Sequence, residues 1–245
     1  RSEEFADLSK KEESRMPMYQ DALARFSKIP TAYPETEFAN KQQFKIGLVY
    51  DKMGEVEIAV EEYVKLAYKY PDSEHIPEVM VRLGRQFQKQ GQVFKDKADP
   101  LREKTDTESQ AEVLRLDELS YPSFIKAAVI YGKLQERFPD HKLAGLAGLA
   151  SAQNYMRAHY DDLALEGFAK VVENEDYDDL SIRAQALYWT GLLYERMPSQ
   201  LRKKAYEAYN RTTCECPDSK WAKAARGRLT QSSFETLAAE ERLRR

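Results

Sequence analysis

The chain has 245 residues, 42% hydrophobic and 32% charged, enough apolar material for a continuous core beneath a heavily charged surface. Its 38 basic and 41 acidic residues leave a net charge of -3, which provides no broad field for nucleic acid or an acidic membrane. No apolar run reaches the length of a membrane span, so direct membrane insertion is not expected.

Ten glycines and ten prolines among abundant Ala, Leu, Glu, Lys, Gln and Arg favour helix. Because the chain begins at Arg1, it is expected to be a fragment or a processed product. Residues 1–16 read as a charged N-terminal segment and 17–32 as a first helix. Paired helices are predicted at about 36–52 and 55–69. A helix at about 74–90 pairs with one at 122–137, across an insertion at about 92–121. That insertion is rich in Lys, Glu, Asp and Thr; Pro100 breaks it, and Val113, Leu114, Leu116, Asp117 and Leu119 mark a short helix within it. Further pairs follow at 141–157 with 161–173 and at 180–196 with 199–213. Residues 219–245 form a capping segment, in which Trp221, Ala225 and Leu229 face inward. The repeat domain proper spans 17–218.

Internal periodicity ties these elements together. Tyr33-Pro34, Tyr70-Pro71, Phe138-Pro139 and Cys216-Pro217 mark junctions, the first two prolines being 37 residues apart. Thirteen residues after the first three of these prolines come Gly47, Gly84 and Ala152, and three residues further come Tyr50, Phe87 and Tyr155. Gly191 and Tyr194 are the corresponding pair in the last unit. Twelve residues before each proline stand Ala22, Ala59, Ala127 and Ala205, followed four later by Phe26, Tyr63, Tyr131 and Tyr209. Ala205 falls two residues late, so a short insertion precedes it. The small residues let two helices approach, an aromatic one turn away fills the wedge, and proline ends each unit. Asp or Ser after the proline caps the next helix.

Gly47, Tyr50, Ala59, Tyr63 and Pro71 resemble the tetratricopeptide repeat. The resemblance covers roughly residues 17–230 apart from the insertion, and departs where the family carries Trp: Gln43, Met80, Gly148 and Leu187 stand there. The aromatic–Pro–Asp–Ser junction is most similar to the bacterial envelope subgroup, which includes the outer-membrane assembly lipoprotein and the Tol–Pal coordinator. The resemblance implies an all-α, right-handed α–α superhelix of four to five hairpins with a C-terminal capping helix. It also implies a protein-interaction scaffold in the cell envelope or periplasm rather than the cytoplasm.

The first helices of stacked hairpins line the concave side of such a solenoid. The register assigns to that groove Lys41, Phe44, Leu48 and Asp51; then Glu78, Val81, Arg85 and Gln88. Leu146, Leu149, Gln153 and Met156 follow, and then Gln185, Tyr188, Leu192 and Glu195. Apolar groups with scattered charge suit an amphipathic helix or an extended peptide as partner. Self-assembly, or regulation of an enzyme whose catalytic part lies elsewhere, are the alternatives.

No catalytic constellation, cofactor motif or metal site is read from the sequence. His75, His141 and His159 read as exposed turn residues without an i, i+4 partner. Cys214 and Cys216 are too close for a relaxed disulfide and too few for zinc. The acidic run from Glu173 to Asp179 lacks the central glycine of a calcium loop.

Overall fold

A computed structural model describes residues 15–174, 177, 179–230 and 234. The charged segment before residue 15, part of the acidic run and most of the expected capping segment beyond 230 lie outside the described residues. Among the described residues there is helix and no strand. The all-α class expected from composition and periodicity is therefore what the chain adopts, with helices packed in consecutive neighbouring pairs. Contacts divide the chain into two compact units, residues 1–83 and 84–245.

In the first unit, helical residues 15–26 lead into α1 (Lys28–Ala32), which is followed by α2 (Glu37–Met53) and α3 (Val56–Lys69). Gly54, at φ 79°, makes the turn between α2 and α3, a left-handed conformation that glycine adopts without steric cost. α4 (Ile76–Arg102) begins in this unit and continues into the second. The second unit adds α5 (Thr107–Arg137), α6 (Ala144–Arg157), α7 (Asp161–Glu173), α8 (Leu180–Arg196), α9 (Arg202–Glu215) and α10 (Lys220–Leu229).

The aromatic–proline junctions are one repeated piece of backbone. Tyr33, Tyr70, Phe138 and Cys216 end their helices at φ/ψ of -138/60°, -131/63°, -131/59° and -134/57°. The proline that follows each disfavours helical geometry at the residue before it, so the helix must stop there. Each junction residue still donates its N–H four residues back, to Ile29, Leu66, Leu134 and Thr212 respectively. Capping after the proline is less uniform. Ser219 Oγ accepts from the Ala222 N–H at 3.0 Å, whereas Thr36 makes no side-chain cap. The late arrival of Ala205 is explained by a three-residue 3₁₀ turn, Ser199–Leu201, placed before α9.

The wedge between paired helices is filled differently from expectation. A Cβ at Gly47 would lie 2.6 Å from Tyr63, one at Gly84 2.6 Å from Tyr131, and one at Gly191 2.5 Å from Tyr209. Those rings come from the second helix of each pair and are buried. Tyr50, Phe87, Tyr155 and Tyr194, one turn on from the small residues along the first helix, are only half-buried. In the α6–α7 pair the missing side chain sits on the other helix: a Cβ at Gly167 would lie 2.9 Å from that of Ala152, and Phe168 beside it is fully buried.

The expected insertion at 92–121 is not broken at Pro100. It lengthens both helices of its pair, α4 to 27 residues and α5 to 31. α4 passes through Pro100 to Arg102, although proline removes the amide donor to the carbonyl four residues back; only two residues of helix follow it. Contacts run antiparallel along the extension. Gly84 meets Tyr131, Gly91 meets Phe124, and Lys95 and Arg102 meet Asp117. Ala98, Val113 and Leu116 are buried there. The helix expected around 113–119 is thus a stretch of α5 rather than a separate element.

Asp117 ties the extension together, receiving Lys95 Nζ at 3.0 Å and Arg102 Nη2 at 2.6 Å. Burial by itself would raise its pKa, but the bonds from Arg102 and Lys95 outweigh burial and hold it below the usual carboxylate range. A depressed folded-state pKa contributes stability above the unfolded value, lost as pH falls through the folded value. Wild-type protein is therefore expected to lose stability below about pH 4 more steeply than Asp117→Asn. At neutral pH the variant should be less stable by about 1–3 kcal/mol. Urea titrations across pH check this; parallel acid limbs for the two proteins contradict it.

Candidate functional site

The residues assigned to a groove divide by burial. Lys41, Glu78, Arg85 and Leu146 are exposed on the first helices of their pairs. Leu48, Asp51, Val81, Gln88, Gln153, Gln185, Tyr188, Leu192 and Glu195 are half-buried. Phe44, Leu149 and Met156 are core residues, and the assignment fails for them. Phe44 stacks on His75 with ring centroids 4.5 Å apart, so His75 is half-buried packing rather than an exposed turn residue. Leu149 and Met156 pack with Phe168, Val171, Ile182 and Leu187. On α8, Tyr188 lies 5.2 Å from Trp221 of α10, and Leu192 packs with Tyr188 on the Tyr209–Phe234 cluster. The capping helix therefore takes up much of the surface that α8 was expected to offer.

Of the other histidines, His141 is half-buried, its Nδ1 accepting from the Leu143 N–H at 3.2 Å. His159 is exposed in the expected turn, at φ 60°. Cys214 and Cys216 are both free thiols. Among the described residues no group of three or more His, Cys, Asp or Glu is arranged to hold a metal ion. No described helix is long and apolar enough to cross a membrane.

Two features escaped the sequence reading. The first is a polar cluster that recurs at equivalent repeat positions. Arg82 Nη1 donates to Asp51 Oδ2 at 2.9 Å and Nη2 to Glu78 Oε1 at 2.8 Å. Burial drives the pKa of the neighbouring Tyr63 up, while Arg82 beside it acts the other way. At the far end, the Tyr209 hydroxyl donates to Glu195 Oε2 at 2.6 Å, and Arg228 Nη1 lies 3.5 Å from the same carboxylate. Burial, then the bond to Glu195, raises the Tyr209 pKa. Asp51 and Glu195 each stand four residues after the small residue, and Arg82 and Arg228 each stand eleven after a junction proline. That spacing was the available signal.

The second is a pair of clefts. One of about 560 Å³ lies between α5, α6 and α7, lined by Gly132, Gly148, Ser151, Tyr155, Leu163, Glu166 and Lys170 among others. A second, of about 300 Å³, repeats it between α7, α8 and α9, with Thr190, Tyr194, Glu207 and Arg211 in the places of Ser151, Tyr155, Glu166 and Lys170. No residue assigned to the groove lines either cleft.

Against this geometry the family comparison is decisive for one segment. Residues 43–73 match the tetratricopeptide repeat. The match takes in α3 and most of α2, including Gly47, Tyr63 and the Tyr70-Pro71 junction. Tetratricopeptide repeats generally mediate protein–protein interactions. No curated protein matches the chain.

The Tyr209–Glu195 bond is expected to contribute about 1.5–3 kcal/mol, as hydrogen bonds to charged groups do. Tyr209→Phe should lower stability by that amount in wild type and by less than about 0.5 kcal/mol in a Glu195→Ala background. Equal costs in both backgrounds would show that the hydroxyl–carboxylate bond is not what stabilises the cluster.

Proposed function

We propose that the chain is a non-catalytic protein-interaction scaffold, holding a peptide or partner protein along the first helices of its repeats. The observation that carries this reading is the tetratricopeptide repeat match at 43–73, joined to glycine–tyrosine seats of the same kind at Gly84–Tyr131 and Gly191–Tyr209. A protein built by repeating one helical pair gains stability from neighbouring pairs and leaves a row of first-helix residues for binding. Leu146, 49% exposed on α6, is the apolar group in that row most available to a partner. Lys41, Glu78 and Arg85 supply exposed charges of both signs on first helices. The junction Tyr70-Pro71-Asp72-Ser73 supports placing the chain with the bacterial envelope subgroup, and so its partner in the periplasm.

The test sets the first helices against the clefts. Partners recovered from cell-envelope extracts by wild-type protein should bind Leu146→Asp at least about tenfold more weakly, the size of effect a single anchor residue has. They should bind Leu163→Asp, altered at a cleft, unchanged. Circular dichroism melting confirms that both variants fold. Loss on Leu163→Asp with retention on Leu146→Asp would transfer the site to the clefts, and recovery of no specific partner would overturn the scaffold reading.

A further inference from the structure

The acid–tyrosine–arginine cluster is complete around Tyr63 and around Tyr209, but not around Tyr131. At the position of Asp51 and Glu195, four residues after Gly84, stands Gln88, a neutral side chain. Eleven residues after Pro139, where Arg82 and Arg228 stand in the other repeats, is Ala150. The cation comes instead from Arg157, two turns further along the same face of α6. Arg85, one turn before Gln88 on α4, adds a second.

Neither arginine has a carboxylate partner among the described residues. Arg157 is half-buried with its guanidinium 5.6 Å from the Phe124 ring centroid. Burial pulls its pKa down, opposed only by Tyr131. Gln88 of α4 meets Asn154 of α6, with Arg85 one turn before the first and Arg157 one turn after the second; both arginines act to lower the pKa of Tyr131, which burial raises. Gln88 does not offset them: its Oε1 accepts from Asn154 Nδ2 at 3.3 Å. Arginine stays protonated, so a half-buried guanidinium without an anion carries a desolvation cost that an added negative group offsets. In the other two clusters this chain supplies that group itself.

Resting on the reading of the chain as an interaction scaffold, we infer that Arg157 and Arg85 receive an acidic side chain of the bound polypeptide, in the place that Asp51 and Glu195 occupy in the other repeats. Guanidinium and carboxylate pair through parallel charge-assisted bonds, and the Phe124 ring face adds a cation–π contact to Arg157. Arg85 is exposed and Gln88 half-buried, so the pair is open to an incoming side chain.

Fluorescein-labelled hexaglutamate and hexaglutamine, titrated against the protein at low ionic strength with anisotropy as readout, test the assignment. Hexaglutamate is expected to bind wild type and hexaglutamine not to. Arg157→Gln should weaken hexaglutamate about tenfold, the loss of one charge-assisted pair. Gln88→Glu, which returns the missing acid to the chain, should weaken it similarly and raise the melting temperature. That gain shows that the second variant is folded and that its loss of binding is competition. Hexaglutamate binding equally to wild type and Gln88→Glu, or not at all, overturns the inference. So does tighter binding of a single-stranded oligonucleotide through the same arginines. Failure here with partner capture still sensitive to Leu146→Asp removes only the acidic site. Capture insensitive to Leu146→Asp with hexaglutamate still bound removes Leu146 as the anchor and leaves this site standing.

Discussion

Three pairs of helices, α2–α3, α4–α5 and α8–α9, depend on a ring from one helix occupying space that a side chain would take on the other. Tyr63, Tyr131 and Tyr209 lie so close to Gly47, Gly84 and Gly191 that a single methyl group at any of these glycines would meet the ring well inside contact distance. Interiors packed to the density of organic crystals leave no slack for such a collision. The seat fixes how near two helices come and where along their length they cross. The junctions then fix where α1, α3, α5 and α9 end, through four residues held at nearly the same backbone angles.

What was legible in the sequence follows from that constraint. Small residue, aromatic and proline recur at steady spacing because each is forced by local geometry, so helix pairs and junctions were readable without a structure. The partner of each glycine was not, because the pattern offers two aromatics and spacing along one helix does not say which ring crosses to the other. The 92–121 stretch was misread for a related reason. Its charges and Pro100 look like a break between helices, but Lys95, Arg102 and Asp117 neutralise one another between two helices, and Ala98, Val113 and Leu116 are buried beside them.

The groove assignment met the same limit. Phe44, Leu149 and Met156 fall on the expected helices, yet a helix one residue wide of the intended register turns such groups into the core. Asp51, Glu78 and Glu195 were assigned to the groove lining and are paired with Arg82 or Arg228. Charge left over after such pairing is more informative than charge counted in the sequence. That distinction separates Arg157 from the arginines of the complete clusters.

The central claim concerns the ring and the glycine, and a double-mutant cycle on one seat measures it. Gly84→Ala is expected to cost about 1–3 kcal/mol by urea unfolding, as overpacking a filled core does. In a Tyr131→Leu background, where no ring stands over the position, the same change should be near neutral or stabilising, since alanine favours helix by about 1 kcal/mol over glycine. An equal cost in both backgrounds would mean that the ring is not what glycine makes room for, and the account of how these helices pair would be wrong.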